Sequence, residues 1–434
     1  MLETFRKLWK IKDLQKKVLY TFLMLLIYRL VGVIPAPGID VSRLNESNNF
    51  MQLPLLNMMQ MMTGNAFGQM TIMAMGITPY INASIIMQLL AVAFPSLQRM
   101  QEEEGGQEKM ARITRYVTVG LAVFQAIGLS RAGGYVRSGW YNTVLVGLSM
   151  AGGSALAMWI GERITENGIG NGVSIIITAN IIERLPQSLM ALFEMMNSGF
   201  SASGTRFRLV HLLLLFVIFA AVTALTVLLT QGQRRVPIQM AKRIVGNKMS
   251  GGTTYMPLKV NFPGVMPIIF AGAILIFPPV LFQMIPNETV RSFAVYFQHD
   301  SYSYMTIYGL LILAFSYFWV ANMFNPVQIS DNLKKEGAYI PGIRPGKPTA
   351  DFLDSTMTKV TFAGAIFLTA LAVFPMLLTK WLKIPYQIAS FFGGTSLLII
   401  VGVTIDTLSQ MESHLVMRNY DGFLQRGRIK SRRG

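Results

Sequence analysis

Residues 209–230 read LVHLLLLFVIFAAVTALTVLLT. The stretch contains no Asp, Glu, Lys or Arg, and its 22 residues would reach about 33 Å as an α-helix at ~1.5 Å per residue. A bilayer's hydrocarbon core is about 30 Å thick, so this reads as a membrane span. Nine similar stretches flank it: Val18–Ile34, Met70–Phe94, Ile113–Ser130, Trp140–Ile160, Val173–Phe193, Pro263–Ile285, Met305–Phe324, Val360–Leu378 and Tyr386–Gln410. Hydrocarbon offers no water to satisfy backbone N–H and C=O groups, so each span is expected to be a helix. The composition agrees. Only 14% of the 434 residues are charged, against ~25% in soluble domains, and the mean hydropathy is +0.45. Length alone would suggest about three soluble domains, and the apolar runs override that. The fold class expected is an all-α polytopic membrane protein of ten transmembrane helices.

The net charge of +17 raises nucleic acid as a partner until the charges are placed. Of the 38 Lys and Arg, 27 fall in the N-terminal segment, the C-terminal tail and the loops before the third, fifth, seventh and ninth spans, all on one side. The positive-inside rule puts that side, with both termini, in the cytoplasm. The start, MLETFRKLWKIKDLQKK, reads as an amphipathic basic segment rather than a cleavable signal. Two of the basic loops are too long for simple connectors: residues 231–261 and 325–359. Their Gly and Pro residues would hold defined turns, which favours a docking surface for a cytosolic partner over plain solvated loops. The segment Leu53–Met62 is apolar but too short to span, and reads as re-entrant or as an exported interfacial helix.

The two halves resemble each other weakly. Gly76-Ile77-Thr78-Pro79-Tyr80-Ile81 in the second span matches Gly264-Val265-Met266-Pro267-Ile268-Ile269 in the seventh, and Gly172-Val173-Ser174-Ile175-Ile176-Ile177 in the fifth matches Gly394-Thr395-Ser396-Leu397-Leu398-Ile399 in the tenth. An offset of five helices is odd, so the copies would be inverted, with function near the midplane between halves. The matched positions are aliphatic: Ile81 with Ile269, and Ile177 with Ile399, with Ile77 and Val173 one turn earlier. An ion or solute site would call for carboxylates, hydroxyls or unwound carbonyls. Branched aliphatics would instead make a constriction that resists wetting, although spacing alone equally allows plain helix packing. Charges noted within spans are Arg29, near an outer end from which it could snorkel, and Asp406 near a cytoplasmic end. No carboxylate cluster for coupled transport is evident.

Other chemistry is sparse. There are no cysteines, and the three histidines (His211, His299, His414) are far apart, so no metal site and no catalytic residues are assigned. Gly168-Ile169-Gly170-Asn171-Gly172 follows no strand and reads as a tight turn into the fifth span rather than a nucleotide loop. No enzyme activity and no cofactor are expected.

The stretches GITPYINASIIMQLL, ERITENGIGNGVSIII, PLKVNFPGVMPIIFA, NPVQISDNLKKEGAYIPGIRPG and FGGTSLLI, with the QRR…AKR loop, together resemble the SecY/Sec61-alpha family in order and spacing over nearly the whole chain. That resemblance implies two inverted five-helix halves in a clamshell: residues 18–195 and 196–410, after an N-terminal segment 1–17 and before a tail 411–434. It implies a pore ring of Ile77, Ile81, Val173, Ile177, Ile269 and Ile399, with Val where Ile is common. A plug at about residues 53–68 would include Leu55, Leu56, Asn57, Met58, Met59, Met62, Gly64 and Asn65. A lateral gate would include Asn82, Gln88 and Phe277. The motor- or ribosome-binding loops would use Arg234, Arg235, Lys242, Arg243, Lys334, Lys335 and Arg344. The implied partners are SecE, SecG, the SecA ATPase, the ribosome, signal sequences with nascent or secretory polypeptides, membrane lipids and an accessory insertase. The implied location is the bacterial inner membrane. Two other readings stay open on the residues alone: an inverted-repeat solute transporter, and a ribosome- or RNA-binding membrane anchor without a pore.

Overall fold

The computed structural model describes residues 12–40, 63–103, 105–132, 136–137, 139–198, 209–240, 243–245, 248–250, 253–272, 274–275, 301–382, 388–389 and 394–426. The chain divides into two compact units, residues 1–186 with 403–434, and residues 187–402.

The first unit contains α1 (Lys12–Gly32), the single turn α2 (Asn65–Gly68), α3 (Thr78–Ala93), α4 (Pro95–Glu102), α5 (Gly106–Ala132), α6 (Trp140–Asn167) and α7 (Gly172–Glu183). Helix α3 carries Pro79 in its first turn, where the missing N–H has no partner to lose. It stops at Phe94 because Pro95 cannot continue it, and the chain turns by 109° into α4. The second span was expected to be helical from Met70, but residues 70–77 run as successive turns, with Met70 at φ +48°. Such backbone survives at membrane depth only inside protein. That condition is met: Ile72 N–H donates to Ile34 O (2.9 Å), Ala36 N–H to Met70 O (3.2 Å) and Gly76 N–H to Met73 O (2.8 Å). Phe67, Met70, Ala74 and Met75 fill a core with Ala36, Ala126 of α5 and Val146 and Met150 of α6.

The close approach is set by glycine. A Cβ on Gly153 of α6 would lie 2.0 Å from Ile72 O, and one on Gly172 would lie 1.9 Å from Gly161 O. Small residues let membrane backbones approach this closely. The fifth span, expected as one helix to Phe193, breaks at Arg184; α8 (Leu185–Ser198) resumes with Pro186 in its first turn.

The second unit holds most of α8, then α9 (Leu209–Gln231), α10 (Tyr302–Met323), α11 (Pro326–Lys335), α12 (Lys347–Leu382) and the start of α13 (Thr395–Arg426). Val222 and Leu229 of α9, Tyr308 and Ile312 of α10 and Leu368 and Ala372 of α12 share one core with Ile268, Ala271 and Leu397. Outside that core, α9 exposes Leu213, Phe216, Val217 and Leu228, and in the first unit α5 exposes Phe124. Apolar faces this continuous belong against hydrocarbon. Among the described residues, α5, α6, α9, α10 with α11, and α12 are each long and apolar enough to cross a membrane.

Both long basic loops are folded. The first forms strands β1 (Gln233–Met240), β2 (Arg243–Val245), β3 (Lys248–Ser250) and β4 (Thr253–Lys259); β5 (Ala338–Tyr339) comes from the second. The sheet order is β4-β1-β5, antiparallel throughout, with Val236 opposite Met256 and Gln239 opposite Tyr339. Val236, Ile238 and Leu258 point inward, the first and last joining Phe324, Ile340, Leu353 and Met357 in a small core, while Arg235 and Pro237 face out. The strand alternation in β1 is the usual mark of a sheet with one solvated face.

The glycine contacts give a paired test. Gly153→Ala is expected to destabilise the purified protein by about 1–3 kcal/mol, the usual cost of overpacking. Gly152→Ala, whose added methyl meets nothing within 4 Å, is expected to be neutral or to stabilise by up to ~1 kcal/mol. Thermal unfolding in detergent or lipid separates the two.

Candidate functional site

Four of the six expected ring residues lie in the first unit. Ile77 is the N-cap of α3, and Ile81 sits one turn on, its N–H donating to Ile77 O at 3.1 Å. Val173 occupies the first turn of α7, which is held by Asn171: its Oδ1 accepts from the N–H groups of Val173 (3.1 Å) and Ser174 (3.3 Å), satisfying two orphan donors. Ile177 follows one turn later. Ile77, Ile81 and Ile177 are buried and Val173 is half-buried. Gly161 of α6 brings two of them together, since a Cβ there would lie 3.3 Å from Ile77 Cδ1 and 3.5 Å from Val173 Cγ2. The glycine-rich turn before α7 is tied down as well: Gly172 N–H donates to Thr165 Oγ1 (2.8 Å), and Ile169 N–H to Thr21 Oγ1 (3.2 Å).

The other two ring residues lie in the second unit. Ile269 falls in helical residues 266–272, after Gly264 at φ +64°, and Ile399 falls early in α13. Their neighbours Ile268, Ala271, Leu397 and Leu398 are buried in the core of that unit, while Ile269 and Ile399 stay half-buried. Gly394 of the FGGTSLLI motif packs on Pro375, where a Cβ would come within 2.1 Å of the proline ring.

Of the expected plug residues, Leu55, Leu56, Asn57, Met58, Met59 and Met62 lie outside the described residues. Gly64 is buried at φ +71°, and Asn65 opens α2. Of the expected gate residues, Asn82 and Gln88 are half-buried on α3, with Gln88 Nε2 donating to Ser84 Oγ at 3.3 Å; Phe277 lies outside the described residues.

Polar groups that hydropathy did not single out sit between α1 and α7. Arg29, expected to snorkel, pairs with Glu183. On the adjacent position, Asn180 Nδ2 donates to Tyr28 Oη at 3.1 Å, with both residues buried. The signal available in the sequence was the i, i+3 spacing of Asn180 and Glu183 on one helical face opposite the neighbouring pair Tyr28-Arg29.

On the second unit's sheet and its flanks, Arg234 and Arg235 are exposed on β1, and Lys334 and Lys335 are exposed in the last turn of α11, where cations suit the helix dipole. Arg243 lies in β2; Lys242 lies outside the described residues. Arg344 is exposed on a turn anchored at both ends: Ser330 Oγ donates to Gly346 O (2.7 Å) and Thr349 Oγ1 to Arg344 O (2.8 Å). The two loops are joined directly by Tyr339 Oη donating to Gln239 Oε1 at 2.9 Å. Two basic loops distant in sequence thus form one folded platform. Among the described residues, no group of three His, Cys, Asp or Glu could hold a metal.

Comparison with known proteins bears on this arrangement. Residues 71–408 match the SecY family model. The protein translocase subunit SecY of Chlamydia trachomatis is 39% identical, with 99% of each chain covered. That of Thermotoga maritima is 38% identical over 100% of each chain. Among solved structures, one described as a protein conducting channel superimposes with a TM-score of 0.65 at 18% identity, covering 96% of this chain and 95% of the other. Sec61 from the canine ribosome-channel complex of the endoplasmic reticulum gives 0.62 at 17%, with the same coverage. The chain therefore shares the fold of those channels.

The folded platform is itself testable. Val236→Asp or Leu258→Asp would bury an unpaired carboxylate at a cost of several kcal/mol. Each is expected to raise the rate of trypsin cleavage within residues 233–259 by roughly tenfold or more through local unfolding, with the membrane helices still protected. Unchanged rates would mean that the loops are solvated rather than folded.

Proposed function

The chain belongs to the SecY family, and we propose that it is the pore subunit of a protein translocase, a multi-pass membrane channel rather than an enzyme. The observation that carries this reading is a family match over the full length in which every ring position is a branched aliphatic residue. It passes secretory polypeptides across the membrane and releases signal sequences and transmembrane segments sideways into lipid.

The physical chemistry of those residues suits the task. A ring of Ile77, Ile81, Val173, Ile177, Ile269 and Ile399 has no hydrogen-bonding atoms to hold water in a narrow passage, so it blocks ions by dewetting. It also forms no directional bond with a transiting chain, so it yields to side chains of any kind and closes around them. The segment around residues 53–68 plugs the resting pore. Asn82 and Gln88 of α3, with Phe277, line a lateral gate through which a segment samples both water and hydrocarbon. Partitioning then follows apolar content, about −0.3 to −0.6 kcal/mol for each Leu, Ile, Phe or Val at a helix centre. The transporter reading loses ground because the ring offers no polar midplane site, and the anchor reading because it leaves the ring without a use.

The channel supplies no fuel. The basic platform carrying Arg234, Arg235, Lys242, Arg243, Lys334, Lys335 and Arg344 docks the SecA motor or the ribosome, and its anchored turn supports the role of Arg344. SecE and SecG complete the channel, and an accessory insertase works beside it. The asymmetric distribution of Lys and Arg supports an orientation with both termini in the cytoplasm, and the bacterial relatives support an inner-membrane location.

Charge reversal separates docking from sealing. In proteoliposomes with SecE, SecA and ATP, Arg344→Glu is expected to lower precursor translocation about tenfold or more, as expected for reversing a charge in a docked interface. Resting ion conductance is expected to stay unchanged. Wild-type translocation by Arg344→Glu would remove that residue from the docking surface.

A further inference from the structure

The polar contacts between α1 and α7 have no part in the reading above, yet their surroundings give them one. Tyr28 and Arg29 are consecutive on α1, and Asn180 and Glu183 lie one turn apart on α7. The first members of each pair are joined by the buried Asn180–Tyr28 hydrogen bond, the second by the Arg29–Glu183 ion pair. The chain that leads into α3 rests on both. Gly64 sits against the ion pair, where a Cβ would come within 2.2 Å of Glu183 Oε2, and Gly76 sits 3.5 Å from Tyr28 Oη by the same measure. Both glycines have positive φ, +71° and +51°, so neither approach is open to a residue with a side chain without strain.

Two of these contacts adjoin the ring. Gly76 immediately precedes Ile77, and Asn180 lies one turn beyond Ile177 on α7. Resting on the reading of Ile77 and Ile177 as ring residues, we infer that the Tyr28–Asn180 and Arg29–Glu183 contacts form a clasp that positions Ile77 and Ile177 for the resting seal. The ion pair locks α1 to α7, and the hydrogen bond holds the Tyr28 hydroxyl against Gly76, just before the start of α3. Removing the Glu183 charge takes from the half-buried Arg29 guanidinium the carboxylate it pairs with, so α1 loses that hold on α7. These four are positioning residues; they touch no translocating chain.

The test is resting ion conductance per reconstituted channel, measured in planar bilayers of the complete translocon alongside thermal unfolding of the same preparations. Glu183→Gln is expected to raise the leak about tenfold, within the range spanned by coupling between two sites. The exchange Arg29→Glu with Glu183→Arg is expected to bring it back to within about twofold of the parent, below the roughly fivefold floor of that same range. Tyr28→Phe keeps the ring and its volume while removing the acceptor, and is expected to leak to a smaller degree. Ile81→Ser serves as the reference for an open ring. A merely structural pair would lower thermal stability in Glu183→Gln without raising conductance per folded channel, which would overturn the inference, as would a leak that the charge exchange does not reverse. If Glu183→Gln does not fold, Tyr28→Phe decides alone: a parental leak overturns the clasp. If Ile81→Ser does not leak, the ring reading fails and the clasp falls with it; if Ile81→Ser leaks and the clasp variants do not, only the clasp fails.

Discussion

Every backbone N–H and C=O inside hydrocarbon needs a protein partner, and much of this structure follows from meeting that requirement where the chain is not helical. Residues 70–77 are the case in point. They reverse and descend as turns toward α3, so their polar groups must be bonded and walled off. The wall is built from α5 and α6, from methionines that fit irregular gaps, and from Gly153, whose missing side chain admits the carbonyl of Ile72. The reward for this construction is placement. Ile77 ends the turn segment and caps α3, so the segment that is hardest to bury delivers a residue assigned to the ring.

A second economy lies in how the chain separates its chemistries. Positions assigned to the seal are branched aliphatics, set on helix starts that glycine and Asn171 hold in place. The exposed basic residues assigned to docking are carried by a small sheet and the helix and turn around it, with their own apolar core. A seal must yield without binding, and a docking surface must bind without yielding. Rigidity from the anchored Arg344 turn and softness from an aliphatic ring suit those opposite demands.

Much of this was legible in the sequence because it is local. The spans show as apolar runs, and the entry to α7 as a glycine-rich turn. What hid was non-local or cut against hydropathy. Tyr339 bonds to Gln239 across 100 residues, so neither loop alone announced a sheet. Glu183 lies within an apolar run that averages it away, and its meaning depends on Arg29, 154 positions earlier. The turns at 70–77 contain no polar cluster to mark them, since their partners are backbone groups of residues 34–36 and their own neighbours. The break at Arg184 was foreshadowed by Pro186, though tertiary packing decides whether a proline bends a span or ends it.

The central claim is that a polypeptide passes through the aliphatic ring. The most direct measurement installs a photo-crosslinking residue at Ile81, Ile177 or Ile399, with controls at the exposed positions Phe362 and Ile366 of α12. A secretory precursor is then arrested midway through transit by SecA or a stalled ribosome. Crosslinks to the precursor from the ring positions, and none from α12, are the expected result. An engaged precursor that crosslinks to none of the three ring positions would contradict the account.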